Sequence, residues 1–174
     1  MKINKYIALI CSLCCFTACN NDIPITEVEK KADNPYKENM ITASNYVAKS
    51  EENEIDSYIK RKKWDTKMKR FDNGMRVWEY ETLSDKKIDY EDDVVIQYSV
   101  QSITEKDIYI NLTDTIVVGK HEPNVGIDKA LQELHYGSSA KVILPSHLAY
   151  GFMGDADRIG TNMILIYDIK IEQK

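Results

Sequence analysis

Beyond residue 19 this 174-residue sequence has no cysteine: Cys11, Cys14, Cys15 and Cys19 are all it has. Whatever follows them folds without a disulfide or a thiolate metal site and depends on an ordinary hydrophobic core. Also missing is the run of about 18 or more apolar residues that a permanent membrane helix needs. The one long apolar stretch, residues 6–16, is too short. Positive charge is in deficit, with 23 Lys and Arg against 28 Asp and Glu and a net charge of −5. No basic stripe interleaves with aromatics, so nucleic acid is not an expected partner. The single basic run, Lys60-Arg61-Lys62-Lys63, falls at the end of a helical pattern, where it complements the carbonyl end of the dipole. His121, His135 and His147 are scattered without metal-ligand spacing. Asp155 and Asp157 lack further acidic residues at calcium-loop offsets and read as solvated. No metal or other cofactor is expected.

What is present begins with an export pattern, Lys2 and Lys5 ahead of the short apolar stretch. The ending Phe16-Thr17-Ala18-Cys19 resembles the lipobox of bacterial lipoproteins. That resemblance implies a signal over residues 1–18, cleavage before Cys19, lipid modification of Cys19 and a membrane partner through the lipid anchor, with the protein in the cell envelope. Loss of Lys2 and Lys5 leaves a charge of about −7. Residues 19–44 are polar, include Pro24 and Pro35, and read as a flexible tether.

Residues 45–73 hold a helix and a first hairpin strand. Ser50 is positioned to cap a helix over residues 50–62, with Glu51 and Glu52 in its first turn and Ile55, Tyr58 and Ile59 on one face. Residues 64–71 and 75–81 read as strands reversed by Asp72-Asn73-Gly74. Further strands are predicted over 94–100, 108–111, 116–118, 141–145 and 163–169. A helix over 126–135 shows Ile127, Ala130, Leu131 and Leu134 on one face and ends near Gly137. The fold class is α+β, an antiparallel sheet with one short helix, preceded by a helix and a hairpin. The loop 146–162, with Tyr150-Gly151 and Gly154, is long enough to carry function.

Three separated motifs then resemble FKBP-type peptidyl-prolyl cis-trans isomerases. They are Val94-Val95-Ile96-Gln97-Tyr98; Gly119-Lys120-His121-Glu122 followed by Gly126 and a helix; and Ile143-Leu144-Pro145-Ser146-His147-Leu148-Ala149-Tyr150-Gly151 backed by Leu165-Ile166-Tyr167-Asp168-Ile169. The resemblance implies an FKBP-like domain over residues 74–174, its sheet curved around the short helix. Within the family, the lipobox and the segment Gly154-Asp155, Asp157 and Ile159 are similar to lipid-anchored members associated with gliding motility.

Carried over by that resemblance, Tyr150 would donate its hydroxyl to the bound peptide. Tyr98, Ile127, Ile159 and Tyr167 would wall an apolar cup, and the backbone N–H of Asn124 would receive a carbonyl. The implied function is peptidyl-prolyl isomerisation of proline-containing clients in the envelope. Departures from the family pattern are Ile127 where many members have tryptophan, a short segment between Tyr98 and Gly119 with Ile108-Tyr109 in place of a Phe-Asp pair, no evident carboxylate beside Tyr98, and Pro123-Asn124 replacing branched apolar residues. Two functions stay open on this pattern: an isomerase, and a catalytically weak or inactive peptide-binding or chaperone module.

Overall fold

A computed structural model describes residues 35–172. The expected signal, Cys19 and the expected tether as far as residue 34 lie outside the described residues. Two compact units are distinguished, Met1–Asn39 and Met40–Lys174. The described residues of the first, 35–39, are helical, and all packing described below lies within the second.

Helix α1 spans Pro35–Lys62 and therefore begins well before Ser50, which is an interior residue and not its cap. Residues 35–44, read from sequence as part of the tether, are helical here. Their apolar positions follow no stripe and residues 37–46 are exposed, so a reading that looked for a buried face had nothing to find. At the other end Lys63 takes a left-handed φ of 58°. Its N–H donates to the Lys60 carbonyl at 3.0 Å and the Trp64 N–H to the Ile59 carbonyl at 3.0 Å, the paired bonds of a Schellman closure.

Six strands follow: β1 (Lys69–Arg70), β2 (Arg76–Glu81), β3 (Asp93–Ser102), β4 (Asp107–Val117), β5 (Ser139–Leu144) and β6 (Leu165–Ile171), with helix α2 (Val125–Leu131) between β4 and β5. They form one sheet in the order β1-β2-β5-β6-β3-β4, and every neighbouring pair is antiparallel. The expected hairpin is present, with Lys69 opposite Val77 and Gly74 at φ 89° in the turn. Its first strand is only two residues long. The two strands predicted over 108–111 and 116–118 are one continuous β4. Its middle is exposed on both faces because it lies at the sheet edge, so the hydrophobic alternation that marks a strand is absent there.

Strand alternation sends side chains to two faces. Ala140, Val142 and Leu144 of β5 and Leu165, Tyr167, Ile169 and Ile171 of β6 enter a core shared with Ile127, Ala130 and Leu131 of α2. The intervening Ile143 and Ile166 join Ile55, Tyr58 and Ile59 of α1 in a second cluster on the other face. Each of these valine, leucine and isoleucine side chains contributes about 1.5–3 kcal/mol on burial. Arg76, 2% exposed, ties β2 to α1 through a 2.9 Å ion pair with Asp56.

Helix α2 is shorter than its pattern predicts, ending at Leu131. Beyond it the chain tightens, with Glu133 N–H to Ala130 O and Leu134 N–H to Leu131 O, both 3.0 Å, so Leu134 is still buried. Gly126 allows α2 to lie directly on Leu144 and on the carbonyl of Leu148, and a methyl group there would overlap both. Among the described residues no helix is long and apolar enough to cross a membrane.

Candidate functional site

Of the candidate site residues, Tyr98, Asn124 and Tyr167 are in direct contact, and Ile127 and Ile159 lie in the main core beneath them. Tyr98 on β3 and Tyr167 on β6 stand on adjacent strands, where Tyr98 is paired with Ile169 and Val100 with Tyr167. Their ring centroids are 6.0 Å apart with planes inclined by 35°. Ile127, fully buried in the first turn of α2, and Ile159, 4% exposed, belong to the same cluster. Tyr98 and Tyr150 are half-buried and pack against it, so both rings reach from core to surface.

Asn124 has a larger part than its backbone. Its side-chain oxygen accepts the Ile127 N–H at 2.9 Å, capping α2, and its amide donates to the Tyr167 hydroxyl at 3.0 Å. A polar side chain 5% exposed is thereby satisfied at both ends. The sequence predicts a polar intrusion into the cup; the structure has that polarity turned inward and spent. Tyr167 has its hydroxyl pKa raised well above the usual value, by burial first and then by the neighbouring Tyr150 hydroxyl. It stays a neutral phenol.

The carboxylate missing from the linear reading sits near Tyr98. Burial raises the Tyr98 hydroxyl, and the charge of Asp114 raises it further. Asp114 lies on β4 two residues from Leu112, the cross-strand partner of Tyr98, and so on the same face. Only the strand register brings these residues together, and no local motif signals it.

The loop from β5 to β6 opens with a 3-10 turn, Ser146–Leu148. The Gly151 N–H donates to the Ser146 carbonyl at 2.8 Å and the Asn162 N–H returns to the Gly151 carbonyl at 2.8 Å, closing the flap on itself. Its base is held from behind by Glu51 of α1, a buried carboxylate that accepts the Ser146 N–H at 2.9 Å and the Ser146 hydroxyl at 2.5 Å. Read from sequence as a charge of the first helical turn, Glu51 is instead an anchor. At the tip Phe152 and Met153 are 75% and 85% exposed.

Asp155 is not the solvated residue the sequence suggests. Its Oδ1 accepts the N–H groups of Asp157, Arg158 and Ile159 at 2.9, 3.0 and 2.8 Å, and its Oδ2 accepts the Tyr109 hydroxyl at 2.5 Å. Burial would raise the Asp155 carboxyl, but the bonds from Tyr109 and the three N–H groups outweigh it and lower the pKa. Tyr109 also donates to Asp157 at 3.2 Å and has the Arg158 guanidinium over its ring at 5.4 Å. A separate groove of about 550 Å³, lined by Glu51, Glu54, Ile103, Ile108, Arg158 and Ile164 among others, lies outside the cup. Among the described residues no group of three or more His, Cys, Asp or Glu side chains could hold a metal ion.

Comparison with known proteins agrees with this geometry. Residues 84–172 match the family model described as FKBP-type peptidyl-prolyl cis-trans isomerase. Over 59 residues, 34% of the chain, the sequence is 34% identical to peptidyl-prolyl cis-trans isomerase FKBP9 of Homo sapiens and to that of Mus musculus. The chain spans 10% of the length of these curated relatives. Among solved structures, a peptidyl-prolyl cis-trans isomerase of Pseudomonas syringae pv. tomato superposes with a TM-score of 0.59 at 20% identity, covering 74% of this chain and 93% of that one. FkpA of Escherichia coli superposes at 0.56 and 19% identity, covering 82% of this chain and 73% of that one. These similarities are of fold, and the antiparallel sheet with a short helix and a preceding N-terminal helix is FKBP-like.

Proposed function

From the premise that the chain belongs to the family of FKBP-type peptidyl-prolyl cis-trans isomerases, we propose that it speeds X-Pro isomerisation in proline-containing polypeptides of the cell envelope. The reaction breaks no bond. The amide must give up its resonance and rotate over a barrier of about 18–20 kcal/mol, so a catalyst needs neither nucleophile nor metal. An apolar wall that grips the pyrrolidine ring and excludes water favours the twisted amide, which has lost its dipolar resonance form. Donors at the rim hold the flanking carbonyls.

The observation that carries this reading is the pairing of the Tyr98 and Tyr167 rings at 6.0 Å on the core that also holds Ile127 and Ile159, with Tyr150 half-buried against the same core. Tyr150 is the residue with a hydroxyl on the flap at the mouth, and in this reading it donates to the peptide carbonyl. The Asn124 backbone N–H, which has no protein acceptor among the described residues, receives a second one. Lipidation of Cys19 fixes the protein at a membrane of the envelope, with kinship to the lipid-anchored gliding-motility members, on the support of the Phe16-Thr17-Ala18-Cys19 motif and the flap sequence.

The test is the rate of cis-to-trans conversion of short X-Pro peptides with the full chain and with Tyr150→Phe. Loss of one transition-state hydrogen bond predicts a kcat/KM about tenfold lower in the variant. Absence of acceleration across peptides with different residues before proline would sink the isomerase reading. A second reading, a module that binds X-Pro segments without turnover, draws on the aliphatic floor at Ile127 and on the polar Asn124–Tyr167 pair at the back of the cup. It predicts peptide binding of equal strength in the wild type and in Tyr150→Phe, with no rate enhancement in either.

A further inference from the structure

We propose that Tyr109 is a positioning residue of this site: its hydroxyl fastens the flap to β4 through Asp155 and so fixes Ile159 in the wall of the cup. The proposal rests on the isomerase reading above.

Asp155 is the hub of the flap. One carboxylate oxygen gathers three successive N–H groups, ending at Ile159. In return the Asp155 N–H donates to the Ile159 carbonyl at 3.1 Å. The loop is wound so tightly that a methyl at Gly154, whose φ is 69°, would collide with that carbonyl. Residues 154–159 therefore form one small rigid unit, and Ile159 goes where Asp155 goes. The other oxygen of Asp155 faces β4 and accepts the Tyr109 hydroxyl at 2.5 Å. Arg158 adds a second tie across the same gap, donating from Nη1 to the Ile108 carbonyl at 3.1 Å while its guanidinium covers the Tyr109 ring. Ile108 next door is 8% exposed and anchored in the core, so β4 is a firm point of attachment.

The chemistry of the clamp is a phenol donating to a carboxylate, a charge-assisted bond stronger than one between neutral groups. The groups facing Asp155 are Tyr109 from β4 and Asp157 and Arg158 from the flap itself. Arg158 lies 3.7 Å from Asp157, offsetting the repulsion between the two carboxylates. The clamp gives Tyr109 partners on the flap, Asp155, Asp157 and Arg158, and assigns it no part in the rotation of the amide itself. It acts through Ile159.

Tyr109→Phe keeps the ring and removes the bond. The expected result is a KM for an X-Pro peptide about three- to tenfold higher with kcat within about twofold, since the loss falls on substrate grip and not on the rotating amide. Amide exchange over residues 155–159 should accelerate by about tenfold or more, a local opening that leaves the sheet protected. The carboxyl of Asp155, followed by NMR, should titrate higher in the variant than in the wild type. Asp155→Asn retains an oxygen for the N–H groups and offers an amide to the Tyr109 oxygen, so it should keep KM within about twofold of wild type. A Tyr109→Phe variant with unchanged KM and unchanged exchange at 155–159 overturns the proposal. Should the wild type show no turnover, the isomerase reading fails by itself, and exchange at 155–159 still decides whether Tyr109 holds the flap.

Discussion

At the scale of the residue, Asn124 illustrates how one side chain can replace an apolar wall without leaving a buried polar group unpaired. It caps α2 and holds the Tyr167 hydroxyl at once. Asn124→Ala should lose about 1 kcal/mol for the cap and a further 1–3 kcal/mol, roughly, because the Tyr167 hydroxyl is left buried without its donor. Placing Tyr167→Phe in the same background should recover most of the second loss. Urea unfolding of the two single variants and the double variant checks this, and additive losses would show that the two groups are energetically independent. The sequence marks Asn124 as a departure in a recognisable motif, but its partner lies 43 residues along the chain. A hydrogen bond of that separation has no local signature.

At the scale of the element, α1 is the part whose role the sequence shows only by half. Ile55, Tyr58 and Ile59 are legible as a buried face, because a 3.6-residue period leaves its mark on composition. The helix start at Pro35 is not legible, since an exposed polar helix and an exposed polar tether have the same composition. Nor is the function of Glu51, whose partner Ser146 is 95 residues distant. That contact links α1 to the first turn of the flap that carries Tyr150. Glu51→Ala should destabilise the protein by about 1–3 kcal/mol, because the Ser146 N–H and hydroxyl are then buried without an acceptor. The measurement is the denaturation midpoint, with Glu51→Gln expected in between. An unchanged midpoint would mean that water replaces the carboxylate freely. The candidate cup is more legible than what surrounds it: Tyr98, Tyr150 and Tyr167 stand in contiguous motifs, whereas Asp114, Tyr109 and Asp155 come near them only through strand register and loop folding.

At the scale of the whole molecule, several of the tyrosines titrate abnormally. Tyr58 and Tyr98 are raised chiefly by burial and Tyr167 well above its ordinary value. Tyr80 is pushed up to about 12 by burial and by its bond to Asp168, and Tyr109 is raised by its bond to Asp155. Each is a neutral acid in the fold with a pKa above its unfolded value. Their contribution to stability is therefore complete below about pH 10, the unfolded tyrosine value, and declines as pH rises through the folded values. Alkaline titration followed at a tyrosinate absorbance should show these groups ionising late and together with loss of structure; ionisation near pH 10, roughly, with the fold intact would contradict it. The two tryptophans tell a different part of the story. Trp64 and Trp78 stand with ring centroids 5.6 Å apart between Tyr58 and Tyr80, where α1 meets the outer face of the sheet, and the floor of the cup holds the isoleucine at 127. Tryptophan emission, excited apart from tyrosine, will thus follow the seating of α1 on the sheet, whereas a peptide entering the candidate cup would be felt by the Tyr98 and Tyr167 rings.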